Sequence, residues 1–189
     1  MAVIDLVAMT AHVRIVYVGP AHGGKSTNLR WIASHHDGWR AGNLHQIDRA
    51  DQRTLFLDDL PLDLGEAGGW RFLVDLYSVP GQPAFLDARA AVLSGADGVV
   101  FVADSDPARS HANKNSMQEL RESMDAAGRV GQPLPLIIQA NKRDHAWAVS
   151  VDDVQRIAPE HCVIPATATM GDGVHETLQA ICRQTISTL

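Results

Sequence analysis

The stretch Gly19-Pro-Ala-His-Gly-Gly-Lys-Ser26 constrains this chain more than any other. It follows the apolar, β-branched run Val13–Val18 and precedes a segment in which Leu29, Ile32, Ala33 and His36 recur at helical spacing. A Gly-x-x-x-x-Gly-Lys-Ser string between a buried strand and a helix is the phosphate-loop pattern in the context it requires. The glycines let backbone N–H groups turn inward around phosphate oxygens, and the following helix adds its positive N-terminal end. The pattern assigns Gly19, Ala21, His22, Gly23, Gly24, Lys25, Ser26 and Thr27 to nucleotide binding. Lys25 reaches the β- and γ-phosphates, and the Ser26 hydroxyl is a ligand for Mg²⁺. The motif does not select a base.

Strand and helix signals alternate along the rest of the chain. Thr54–Leu57 and Phe72–Tyr77 read as strands separated by the turn material LGEAGG. Gly98–Ala103, Leu136–Ala140 and Val163–Ala166 read as further strands. Met117, Leu120, Arg121 and Met124 mark a helix, Val151–Ala158 a short one, and Val174, Leu178, Ile181, Cys182, Thr185 and Leu189 the stripe of a closing helix. Residues Asp37 to Asp51 carry glycine and charge with little periodicity, which reads as a loop. Such alternation predicts an α/β fold with a mostly parallel sheet and helices on both faces. The 189 residues suffice for one well-cored domain, expected to span 1–189.

Composition narrows the partners. A net charge of −6 argues against a general nucleic-acid binder, whose affinity rests on basic surface. Cys162 and Cys182 stand in no metal-ligand spacing and read as reduced, partly buried thiols. No apolar run is long enough to span a bilayer. The start MAVIDLVAMTAHVR lacks basic residues before its apolar part and makes a poor signal peptide. Ala2 stands where myristoylation needs glycine, and the end ISTL has no cysteine to prenylate. The expectation is a cytoplasmic protein without a lipid anchor.

The base is addressed by Asn141-Lys142-Arg143-Asp144, which follows the strand PLIIQA. A carboxylate there accepts both the ring N–H and the exocyclic amine of guanine. Adenine lacks that amine and leaves the carboxylate unmatched, which costs more than losing a neutral bond. Asn141 suits another guanine edge, the Lys142 stem suits the ring face, and Ala168, after the next strand, can offer its backbone N–H to the guanine carbonyl.

With GPAHGGKSTNL, RTLFLDDLPLDLG, LYSVPGQ, DGVVFVADS and IIQANKRD in place, the chain resembles the Ras-like small GTPases. More narrowly, it is similar to the MglA family of bacterial polarity and gliding-motility GTPases, over nearly everything from Val13 to Leu189. The resemblance implies a P-loop NTPase, small-GTPase-like fold, GTP and GDP as ligands, and Mg²⁺ as cofactor. It implies a switch whose GTP form binds effectors, with hydrolysis stimulated by a Roadblock-type partner, MglB. The strand after the first switch can slide in register with nucleotide state in that family. Thr54 matches the switch threonine that completes Mg²⁺ coordination beside Ser26. Gln82 matches the glutamine that orients the attacking water, Gly81 offers an N–H to the γ-phosphate, and Arg53 can act in cis as the arginine finger. Gln82, Arg53 and Lys25 are then the catalytic set.

Two positions depart from the wider Ras pattern. Ser78 stands where an Asp is usual and cannot add negative charge near Mg²⁺, although MglA-like proteins also lack that Asp. Asp58 is a candidate substitute carboxylate. Ala21 stands where glycine is usual, and its methyl group crowds the position of water and arginine finger, which predicts slow intrinsic hydrolysis. The same two departures leave an alternative open, a GTP-dependent binding module with negligible hydrolysis.

Overall fold

A computed structural model describes residues 2–35, 42–47, 57–80, 86–129 and 134–189. In chain order the elements are β1 (Val3–Asp5), β2 (Thr10–Val18), α1 (Lys25–His35), β3 (His45–Ile47), β4 (Leu57–Ala67), β5 (Trp70–Ser78), α2 (Leu86–Ser94) and β6 (Gly98–Asp104). There follow α3 (Ser110–Ala126), β7 (Leu136–Asn141), α4 (Val151–Gln155), β8 (Cys162–Pro165) and α5 (Val174–Ile186).

The strands form one eight-stranded sheet in the order β3-β4-β5-β2-β6-β7-β8, with β1 paired to β2. Neighbours from β5 through β2, β6 and β7 to β8 run parallel, whereas β1–β2, β3–β4 and β4–β5 are antiparallel. Every residue of β6 and of β7 is buried. Strands covered on both faces read as continuous apolar runs, which is why GVVFVA and LIIQA carry so little polarity. The sheet therefore has two cores. Val13, Ile15 and Tyr17 of β2 pack with Leu29 and Ile32 of α1 and Val174, Leu178 and Ile181 of α5. Val16 and Val18 point the other way, toward Leu93 of α2, Met117 and Leu120 of α3 and Val154 of α4. The result is a mixed α/β fold with a central sheet flanked by helices.

Several elements differ from the sequence expectation. Of the strand expected at Thr54–Leu57 only Leu57 is described, and it begins a strand that runs on to Ala67, while residues 54–56 lie outside the described part. LGEA belongs to this strand, and the turn is Gly68-Gly69 alone, between Ala67 and its partner Trp70. Leu60 and Leu62 are buried between half-buried Asp59, Pro61 and Asp63, a period-two pattern that the acidic residues and Pro61 disguise. Pro61 is tolerated because the described pairing with β3 ends at Asp59, so no ladder bond in that pairing needs an N–H at position 61. Part of the loop expected between Asp37 and Asp51 is β3, which pairs with Leu57–Asp59. β1 and α2 carry no sequence signal that would have marked them in advance. Cys162 is exposed at the start of β8, not partly buried, whereas Cys182 is buried on the core-facing side of α5.

Candidate nucleotide site

In parallel sheets ligands bind at the carboxyl ends of the strands. Here β2 ends at Val18, β5 at Ser78, β6 at Asp104, β7 at Asn141 and β8 at Pro165, and the candidate residues follow these ends. Gly19–Gly24 leads from β2 into α1, and Lys25, Ser26 and Thr27 form the first turn of that helix. No acidic residue occupies this turn, so the positive end of the helix and its unsatisfied N–H groups are not neutralised locally.

The loop folds tightly against β6 and β7. Gly23 N donates to Pro20 O at 3.1 Å. Gly19 has φ +136°, and a Cβ there would lie 2.4 Å from the Val102 carbonyl oxygen. Gly24 has φ +103°, and a Cβ there would lie 2.2 Å from Asn141 Nδ2. Both positions therefore need glycine for conformation and for close approach. Lys25 is buried and its ammonium donates to the carbonyls of Gly19 (3.0 Å) and Pro20 (2.8 Å), so the charge sits inside the mouth of the loop. His22 is exposed at φ +63°.

Asn141 joins the two halves of the site. Its Nδ2 donates to Gly23 O at 2.8 Å, and its Oδ1 accepts from Ala168 N at 2.9 Å. The sequence reading aims the Asn141 amide and the Ala168 N–H at a base; in the structure each is engaged with protein first. One amide hydrogen and one lone pair of Asn141 are left over. Lys142 takes a left-handed conformation, φ +66°, and its ammonium lies 2.6 Å from Asp104 Oδ2. A cavity of about 180 Å³ is lined by His22, Gly24, Thr27, Asn141, Lys142, exposed Asp144 and Ala168. A neighbouring cavity of about 300 Å³ shares His22, Gly24 and Thr27 and adds Lys25 and Ser26. A larger cavity of about 590 Å³ lies against Leu136 and Cys162, the first residues of β7 and β8. It is at the wrong end of the strands for a parallel-sheet ligand site.

The structure thus brings together every described candidate: Gly19, Ala21, His22, Gly23, Gly24, Lys25, Ser26, Thr27, Asn141, Lys142, Asp144 and Ala168. Arg53, Thr54, Gly81 and Gln82 lie outside the described residues.

The donor set suits Mg²⁺. Ser26 Oγ lies 3.4 Å from Ser78 Oγ, and Ser78 Oγ donates to Asp58 Oδ2 at 3.1 Å. Hydroxyl and carboxylate oxygens are hard ligands, and Mg²⁺ commonly takes only one or two protein groups beside phosphates and water. Among the described residues no group of three or more His, Cys, Asp or Glu side chains is placed to hold a metal ion.

Other residues in contact with the loop or the NKRD segment had no motif to mark them. Asp104, Arg109 and a buried amide network behind the loop are among them. Asn28 donates to Gly24 O (3.0 Å) and to Gln139 Oε1 (2.8 Å), while Gln139 Nε2 donates to Asn28 Oδ1 (2.9 Å) and Thr177 Oγ1 (3.1 Å). The available signal was polarity at places where the pattern calls for apolar residues, such as Gln139 inside LIIQAN.

No protein-family model matches the chain. A curated relative does: the mutual gliding-motility protein MglA of Myxococcus xanthus is 39% identical over 192 residues, spanning 100% of this chain and 98% of that protein. Among the described residues no helix is long and apolar enough to cross a membrane. Identity at this level along the whole length, joined to a sheet that gathers the loop and the NKRD segment at its carboxyl edge, places the chain in a family: it belongs to the MglA family of Ras-like small GTPases.

Proposed function

We propose that this protein is a single-domain molecular switch that binds GTP and GDP with Mg²⁺ and slowly hydrolyses GTP to GDP and phosphate. It cycles between effector-binding and inactive states in cell polarity or motility signalling, stimulated by a Roadblock-type partner of the MglB kind. The observation that supports this reading is Asn141, which ties Gly23 of the loop to Ala168 after β8 and so joins the two segments that this reading makes phosphate and base subsites.

In this reading Lys25 exchanges the carbonyls of Gly19 and Pro20 for phosphate oxygens, a stronger charge-assisted interaction. The loop amides and the N-terminal end of α1 bind the remaining phosphate charge. Asp144 selects guanine by accepting from the base's ring N–H and exocyclic amine, and Lys142 lies along the ring with its ammonium held by Asp104. Ser26, with Thr54, would hold Mg²⁺, which would supply neutralisation of the phosphate charge. Arg53, Gly81 and Gln82 take their roles, charge neutralisation and water orientation, from the family resemblance.

Single-turnover hydrolysis of pre-bound GTP, with ATP as control, tests the proposal. Phosphate released from GTP and not from ATP is expected. A second reading, a GTP-dependent binding module, is favoured by the Ala21 methyl in the loop and the uncharged Ser78 beside Ser26. GTP retained uncleaved after long incubation, even with a Roadblock partner, would replace the first reading with the second.

A further inference from the structure

We propose that Arg109 is a positioning residue of the nucleotide site, holding the loop by the Ala21 carbonyl from the same buried carboxylate, Asp104, that holds Lys142. The inference rests on the guanine-nucleotide reading above and adds to it a link between the phosphate and base subsites.

Asp104 ends β6 and is only 1% exposed. Its main chain is fixed from α3: Asn113 Nδ2 donates to Asp104 O at 2.8 Å, and Asp104 N donates to Asn113 Oδ1 at 2.9 Å. Its Oδ1 accepts from Asp106 N at 3.1 Å. Its Oδ2 faces two cations, Lys142 Nζ at 2.6 Å and Arg109 Nε at 3.8 Å. A carboxylate this buried is tolerable only when paired and hydrogen-bonded, and here each oxygen has a partner. Arg109 closes the short 3-10 turn Pro107–Arg109, whose start is capped by the Asp106 side chain accepting from Ala108 N at 2.9 Å. From that fixed base the guanidinium donates to Ala21 O at 2.7 Å.

The planar fork of arginine explains why this residue type stands there. One edge faces the carboxylate while another N–H reaches the loop, which a single ammonium cannot reproduce. The Ala21 carbonyl and the His22 N–H belong to one trans peptide plane and point in opposite directions. Holding the carbonyl on Arg109 therefore fixes the His22 N–H facing away from Arg109, within the loop that lines both cavities. Loop and base-side segment then answer to one carboxylate: Ala21 through Arg109, and Lys142 directly.

The test compares GDP and GMP affinities, by competition with a fluorescent GDP, for the wild-type protein and for Arg109→Ala, Arg109→Lys and Asp104→Asn. Because the anchor acts on the loop, Arg109→Ala should weaken GDP about tenfold and leave GMP within about twofold. Arg109→Lys should recover only part of the loss. Asp104→Asn, which also releases Lys142, should weaken both nucleotides. Equal weakening of GDP and GMP in Arg109→Ala, or no weakening of either, overturns the proposal while the guanine reading stands. A wild-type protein that binds neither guanine nucleotide overturns that parent reading itself.

Discussion

Ser78 donates its hydroxyl to the buried carboxylate of Asp58 across the β4–β5 pair, at directly opposed positions and with Oγ 3.1 Å from Oδ2. The same hydroxyl lies 3.4 Å from Ser26 Oγ. A negative charge therefore reaches the candidate Mg²⁺ ligand through one intermediary, although the residue at position 78 carries none. In the proposed site, Asp58 would supply from the neighbouring strand the charge that the wider Ras pattern puts at position 78.

Asp58→Asn tests that arrangement, because an amide oxygen can still accept from Ser78 while the charge is gone. Nucleotide release should be measured against Mg²⁺ concentration. The concentration giving half-maximal slowing of release should rise about tenfold, the size usual for groups that orient a metal ligand. In excess EDTA the variant and the wild type should release nucleotide at the same rate. An unchanged Mg²⁺ midpoint would reject the assignment.

The Gly19–Ser26 loop, NKRD and the buried strands were legible because each is local: glycine spacing, charge after a strand, continuous apolar runs. Asp104 and Arg109 were not, because a buried acid at a strand end and an arginine five residues on carry no message until the fold brings Ala21 to them. β3 is invisible for the same reason, since its three residues form a strand only by pairing with β4. Asp58 was nameable as a candidate, but its contact with Ser78 depends on a register that sequence does not fix.

The Asn28–Gln139–Thr177 network should be a stability determinant as well as a loop support. All three side chains are fully buried. Gln139→Leu leaves Asn28 its bond to Gly24 O but strands its Oδ1 and one amide hydrogen behind the loop. A loss of about 2–3 kcal/mol in urea unfolding is expected for buried groups left unmatched. A loss below about 0.5 kcal/mol, typical of a surface change, would show that the network relaxes without cost.

The two cysteines should differ in reactivity. Cys162 is exposed, while burial pushes the Cys182 thiol up to about 12. The thiolate is the reacting form, so a thiol reagent at pH 8 should titrate one cysteine quickly and the other only in denaturant. Cys162→Ser should abolish the fast phase. Two fast thiols in the native protein would contradict the burial of Cys182.

Acid should weaken the fold through His161. Burial is the largest influence on its ring and lowers its affinity for a proton below the ordinary value of 6.5, against the raising effect of Glu160 at 3.5 Å. The unfolded chain thus binds more protons than the folded one in this window, so stability rises with pH there. The contribution is fully present above 6.5 and is lost as pH falls through the lower folded value. His161→Gln should flatten that part of the stability profile. A profile as steep as the wild type's would assign the acid sensitivity to other groups.

Ala21→Gly should speed single-turnover GTP hydrolysis. Ala21 is half-buried in the loop, and in the proposed site its methyl group would crowd the attacking water and the arginine finger. Misplacement of about an ångström can cost ~10²-fold in rate, which bounds the gain from removing it. Glycine also loosens the backbone, which works against precise geometry. The Arg109 bond is to the Ala21 carbonyl rather than to its side chain, so it survives the substitution and offsets that loosening. The acceleration should therefore appear in the wild-type background and shrink when Arg109→Ala is added, a coupling measurable as a double-mutant cycle. A glycine variant no faster than the wild type would remove the methyl group as the cause of slow turnover. Equal acceleration in both backgrounds would separate Arg109 from the geometry of this step.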